Sequence, residues 1–169
     1  MSSNPVADNF LASAAARLQL SRKTIASCLE KLTDEQMWHR GGDHENSIAN
    51  LLLHLEGNLR QWILHGIDDQ PDIRQRDEEF TLTPSTNSTD AHARFNATLD
   101  ESCRVIAAVP AERLLEVIDP QPTGTWRHCT ILEAIFKVVG HVDMHAGQII
   151  LLTKQLTASD LDLTLPRKR

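Results

Sequence analysis

Two histidines four residues apart, His141 and His145 in the stretch GHVDMHAGQIILL, carry the most specific chemistry this chain offers. On a helix, residues at that spacing share a face about one turn apart. Two imidazoles so placed can grip one divalent ion, as paired histidines on one helix do in zinc enzymes. His54 lies in a second apolar run, SIANLLLHLEGNLRQWIL. Two facing helices supplying His and His-x-x-x-His would build a three-histidine site with an open coordination position, the arrangement catalytic metals need. The ordinary alternative is a hydrogen-bonded core or boundary histidine, and a chain with 8 histidines produces such pairs by chance. Position argues for the site. Ile131, Ile135, Val138, Val142, Ile149, Leu152 and Leu156 recur at helical steps, with His145 inside their stripe and His141 at its edge. A buried imidazole needs a partner for each nitrogen that can bond, and one ion would satisfy two of them at once.

The surroundings of these residues offer candidates for a supporting shell. Asn50 and Asn58 stand four residues before and after His54, where either amide would orient an imidazole. Asn is a poor residue for the middle of a helix unless it has such a task, although two surface amides would read the same way. Gln148 shares the face of His141 and His145. Gly140 and Gly147 weaken a helix by about 1 kcal/mol each relative to Ala, which close approach of a helix or ligand would explain. His65 lies about 16 Å along the axis from His54, too far to share an ion. His39, His44 and His92 read as surface residues. Cys129, beside His128 at the start of the last helix, would gain thiolate character from the helix dipole, but nothing else completes a nucleophilic pair.

Four segments have the periodicity of helices. The first covers about residues 5–31, with Phe10, Leu11, Ala14, Leu18, Ile25 and Leu29 on one face. Thr33-Asp34-Glu35-Gln36 has capping-box form and opens a short turn. The second helix follows Ser47 as N-cap and stops at Gly66. A polar stretch with the charge run of residues 72–79 leads to the third helix, which ends near residue 109 and carries Ala91, Phe95, Leu99, Cys103 and Ile106. Prolines 110, 120 and 122 mark an irregular connection. The fourth helix opens at Thr130-Ile131-Leu132-Glu133, another capping box, and reaches about residue 155. With no clear strand, the pattern predicts an all-α four-helix bundle filling one domain, residues 1–169.

Composition removes several classes of function. A net charge of −6 with no basic stripe argues against nucleic acid as partner. The basic end Arg167, Lys168, Arg169 reads as a solvated tail. Cys28, Cys103 and Cys129 are odd in number and lack C-x-x-C spacing, so no disulfide framework is expected. The N-terminus lacks a signal pattern and no run is expected to span a membrane, so the protein reads as cytoplasmic. Leu53 and Leu64, outside the main stripe of the second helix, read as exposed apolar residues available for self-association.

The motifs SIANLLLHLEGNLRQWI, RQRDEEF and GHVDMHAGQIILL together resemble the DinB-like superfamily of bacterial metal-binding four-helix proteins. The resemblance is to a branch of poorly defined function, similar to metal-dependent hydrolases and bacillithiol S-transferases. It implies an up-down-down-up bundle, often a homodimer, with one zinc- or nickel-like ion held by His54, His141 and His145. It also implies thiol transfer or hydrolysis on a small-molecule substrate, with a low-molecular-weight thiol as a possible cofactor. A non-enzymatic metal-binding or stress-response module is the other reading. Histidine ligands alone suit zinc, nickel, copper and iron alike, and Arg74, Arg76, Asp77 and Glu79 read most simply as a salt-bridged loop anchor.

Overall fold

The apolar periodicity emerges as four long helices in the computed structural model, which describes residues 4–81, 86–122 and 127–163. The segments 82–85 and 123–126, within the two irregular connections, and the basic end lie outside the described residues. Helix α1, Pro5–Leu29, starts with Pro at its first turn and Asn4 as N-cap, its side chain accepting from the Ala7 amide. The short α2, Asp34–Trp38, opens with the capping box of Thr33 and Gln36. Helix α3, Ile48–Leu59, is capped by Ser47 and Asn50, and its coil widens into a π-helical turn over Arg60–His65. Helix α4, Ser88–Ala108, is capped by Asn87. Helix α5, Ile131–Thr157, opens with the capping box of Thr130 and Glu133 and ends at Ala158, whose φ of 50° is left-handed. A two-residue antiparallel pairing of β1, Val117–Ile118, with β2, Cys129–Thr130, sets the start of α5.

Helices α1 and α3 each pack on both α4 and α5. Every residue of α3 is buried, its polar Asn50, His54, Glu56 and Asn58 included. That corrects the expectation for Leu53 and Leu64, which are buried. Helix α3 has α4 and α5 on two sides, with a 3-10 turn, Arg76–Phe80, laid across a third, so no face remains for solvent. The large exposed apolar side chains of α5 are instead Phe136 (72%), Met144 (54%) and Leu151 (57%). By length and composition alone α5 reaches what a membrane crossing needs, contrary to the expectation from the sequence. Its apolar stripe packs on α1 and α3, and Asp143 on its flank is tied to Arg17 and Ser21 of α1.

Gly140 and Gly147 do not mark close approach. A Cβ at either position would meet nothing within 4 Å. Gly140→Ala should therefore stabilise the protein by about 1 kcal/mol, the helix-propensity difference alone. Urea unfolding at fixed protein concentration checks this; a loss of stability would mean that something packs against that position.

Candidate metal centre

His54 on α3 and His141 and His145 on α5 turn their Nε2 atoms toward a common point. His141 Nε2 lies 3.2 Å from His54 Nε2 and 3.1 Å from His145 Nε2, and the three ligand atoms lie within 4.8 Å of one another. The rings are set edge-on to one another, with interplanar angles of 72°, 81° and 90°. Metal–nitrogen bonds of about 2.0–2.1 Å in tetrahedral arrangement separate their nitrogens by about 3.3 Å. Two of the three edges already have that length.

Protonation sharpens the picture. His54 Nδ1 is 2.8 Å from Glu79 Oε2, and His145 Nδ1 is 2.6 Å from Gln148 Oε1. Both partners are oxygen acceptors, so in the neutral ring each Nδ1 carries the proton and each Nε2 presents a lone pair. Burial, then the neighbouring His145 and His54, and then Arg74 and Lys137, push His141 down to about 3, so its ring is neutral. With all three rings neutral the facing nitrogens share at most one proton, and the Nδ1 of His141 is buried without a hydrogen-bond partner. Converging lone pairs with so few protons are a donor set that fits a divalent cation. Among the described residues, this is the group of His, Cys, Asp and Glu side chains that could hold one.

The polar segment after α3, read as a loop anchor, turns out to serve the site. Burial alone would raise the Glu79 carboxyl. The hydrogen bonds and charge of Arg74, together with His54, outweigh it and hold the group below its ordinary value. Arg74 grips the carboxylate with Nε at 2.7 Å and Nη2 at 2.9 Å, and its Nη1 donates to Gln61 Oε1 at 3.0 Å. This carboxylate–histidine pairing is the arrangement that fixes a ligand's tautomer and raises its basicity. Gly57 makes it possible: a Cβ there would lie 2.2 Å from Glu79 Oε1 and 3.1 Å from Arg74 Nε. A glycine three residues after His54 in a leucine-rich helix was the available signal. Arg76 lies over the Phe80 ring, which packs 5.0 Å from the His54 ring, and Asp77 is exposed.

The supporting residues expected from spacing divide. Gln148 contacts His145 directly. Asn50 orients no imidazole. Its amide closes the cap with Ser47 and donates to the backbone carbonyls of Glu79 and Thr81, which Arg40 also reaches at Phe80 and Thr81. It stands at the third position of the helix, where the free backbone amides and the adjacent segment compete for it. Asn58 Oδ1 is buried without a partner.

Other candidates separate from the centre. His65 bonds the Gln70 carbonyl, His39 and His44 are exposed, and half-buried His92 leaves Nε2 without a partner. Cys129 is buried, and burial and Glu133 push its thiol up. That opposes the thiolate expected from the helix dipole, and His128 pairs with Asp119 instead. Glu56 is held by Arg60 and Arg94. A cavity of about 470 Å³ is lined by Arg74 and Glu79 with Glu56, Arg60 and Arg94, and none of the three histidines borders it.

A family of proteins of unknown function, DUF1572, matches residues 5–169, and the chain belongs to that family. No curated protein matches it.

The buried neutral imidazoles predict a pH dependence for the metal-free protein. Between about 6.5 and about 3 the unfolded chain protonates His141 and the native protein does not. Stability present above pH 6.5 is therefore lost as pH falls through that window. The lowered pKa of His145 acts in the same direction. Urea midpoints should decline steadily on acidification from neutral pH; a flat profile down to pH 4.5, where Glu79 begins to contribute, would count against buried neutral histidines.

Proposed function

We propose that this DUF1572 protein is a DinB-like four-helix bundle, up-down-down-up over residues 1–169. In this reading it binds one divalent metal ion, zinc or nickel, through His54, His141 and His145. We further propose that it is a metal-dependent enzyme of thiol-transferase or hydrolase type. The observation that carries the metal reading is the convergence of three Nε2 atoms, two with their outer nitrogens already committed to acceptors. The ring of contacts among α1, α4, α3 and α5 supports the bundle. Its three cysteines, free and buried, suit the reducing cytoplasm.

An ion with three neutral ligands keeps a charge near +2 and an open position, and would lower the pKa of a thiol or water into the neutral range. The chain's own residues supply the rest. Glu79 and Gln148 hold two imidazoles in the ligating tautomer, and Arg74 neutralises the buried carboxylate. A small thiol is the substrate or cofactor this site suits best, because an anionic thiolate matches its charge. A non-enzymatic metal-binding module is the second reading. It is favoured by the engagement of Glu56, Glu79 and Asp143 in ion pairs, which leaves none of these carboxylates free as a general base. It is also favoured by a cavity that borders no histidine.

Untagged protein should carry one metal per chain by elemental analysis. His145→Ala should abolish tight binding yet remain helical and cooperatively folded by circular dichroism, because the apolar core does not depend on the ion. Metal at one hundred times its Kd should stabilise the wild type by about 2.7 kcal/mol. A thiol-conjugation screen with and without metal separates the enzyme from the module. If both the variant and the metal-stripped protein were largely unfolded, the ion would be structural.

We also propose a two-fold homodimer through the α5 face of Phe136, Met144 and Leu151, the large apolar side chains that this helix leaves exposed. Light scattering at micromolar concentration should give twice the chain mass, and Met144→Glu should return it to the monomer value. A monomeric wild type would overturn this.

A further inference from the structure

Each imidazole of the centre has an inner nitrogen, Nε2, and an outer one, Nδ1. Two outer nitrogens are spoken for: His54 by Glu79 and His145 by Gln148. The third, His141 Nδ1, is buried with no partner. On the facing helix Asn58 has the complementary defect. It is 9% exposed, and its Oδ1 is buried with no partner. Helices α3 and α5, which carry the two atoms, pack on each other. His54 meets His141 at 3.2 Å, and Trp62 carries the Lys137 ammonium 4.4 Å from its ring centroid. Asn58 is four residues from each of His54 and Trp62 along the chain, and both of these meet α5 within Lys137–His141.

The proton count shows that these two atoms have nothing to exchange in the metal-free protein. Without a cation, His141 Nε2 faces the lone pairs of His54 and His145, so the single proton of its ring is best placed on Nε2. Its Nδ1 then presents a lone pair, and an acceptor has nothing to offer another acceptor. Once the Nε2 lone pair is committed to a cation, the proton must sit on Nδ1, which becomes a donor.

We infer that Asn58 is the positioning residue for His141, its Oδ1 accepting from Nδ1–H in the metal-loaded protein. Metal uptake is thereby coupled to a tautomer change in one buried ring. The inference rests on the three-histidine metal reading. It completes a pattern in which every ligand has an outer acceptor: a carboxylate, a side-chain amide from the same helix, and a side-chain amide from the facing helix.

The test uses zinc alone as probe, with the full chain as wild type, Asn58→Leu and Asn58→Asp. Calorimetry should show Asn58→Leu binding zinc 10–100-fold more weakly, the usual effect of losing an outer partner. Asn58→Asp, which keeps an acceptor at the position, should bind at least as tightly as the wild type. The metal-free melting midpoint of Asn58→Leu should not fall, since the change removes an unsatisfied buried oxygen. Nitrogen NMR of the wild type should show the His141 proton moving from Nε2 to Nδ1 on zinc addition. Equal zinc affinity in the wild type and Asn58→Leu would overturn the role of Asn58 alone. So would a metal-free midpoint that drops enough to account for the weaker binding. A wild type that takes up no zinc would overturn the metal centre as well.

Discussion

The centre of this protein depends on a carboxylate withdrawn from water. Glu79 is buried against a helix with no solvent face, and an unpaired charge there would be strongly unfavourable. Taking away one partner of such a buried pair typically destabilises by about 3–5 kcal/mol. Its neighbours are arranged around that constraint. Arg74 supplies two donors, His54 a third, and Gln61 occupies the far side of the guanidinium while bonding Asp72. Arg40 and Asn50 hold the backbone on which Glu79 rides. Segment 72–81 has little regular structure, yet polar contacts of this density give it a defined path, and the His54 ring inherits its orientation from that path.

Helix α3 meets the opposite demand. It is buried around its whole circumference, so each polar side chain it carries must find a partner inside the protein. Asn50 closes the N-terminal cap, His54 meets Glu79 and Glu56 takes two arginines, while Gln61 in the π-helical turn that follows takes Arg74. The buried oxygen of Asn58 is the exception. A helix this enclosed is a rigid platform, and rigidity is what a ligand set needs if the ion's preferred distances are to be met without reorganising the core.

The helices and the histidine set were legible because both are written in local spacing. Steps of three and four place His141 and His145 on the buried side of α5, and the capping boxes at Thr33 and Thr130 mark where α2 and α5 begin. What could not be read was anything depending on how a non-periodic segment folds back. Glu79 lies 25 residues from His54, and no periodicity links a carboxylate in RQRDEEF to an imidazole in the preceding helix. Asn50 was misjudged for a related reason: its spacing from His54 fits, but its place in the first turn of α3 commits it to the cap. Leu53 and Leu64 look exposed only if one face of α3 is assumed wet. Gly57 was legible in principle, since a glycine amid leucines asks what passes over it, whereas Gly140 and Gly147, which invited the same question, face open space.

His54 and His141 are separated by 87 residues along the chain. During synthesis, a ribosome that had released α1 to α4 would have exposed one ligand of the three, with the other two following on α5. The centre therefore cannot assemble before α5 has been made and has docked on α3. Loop closure over such a span is an entropic cost met by the packing of α3 on α5, with the site emerging only after that closure. If the three histidines hold an ion, its uptake would report that α5 has docked on α3.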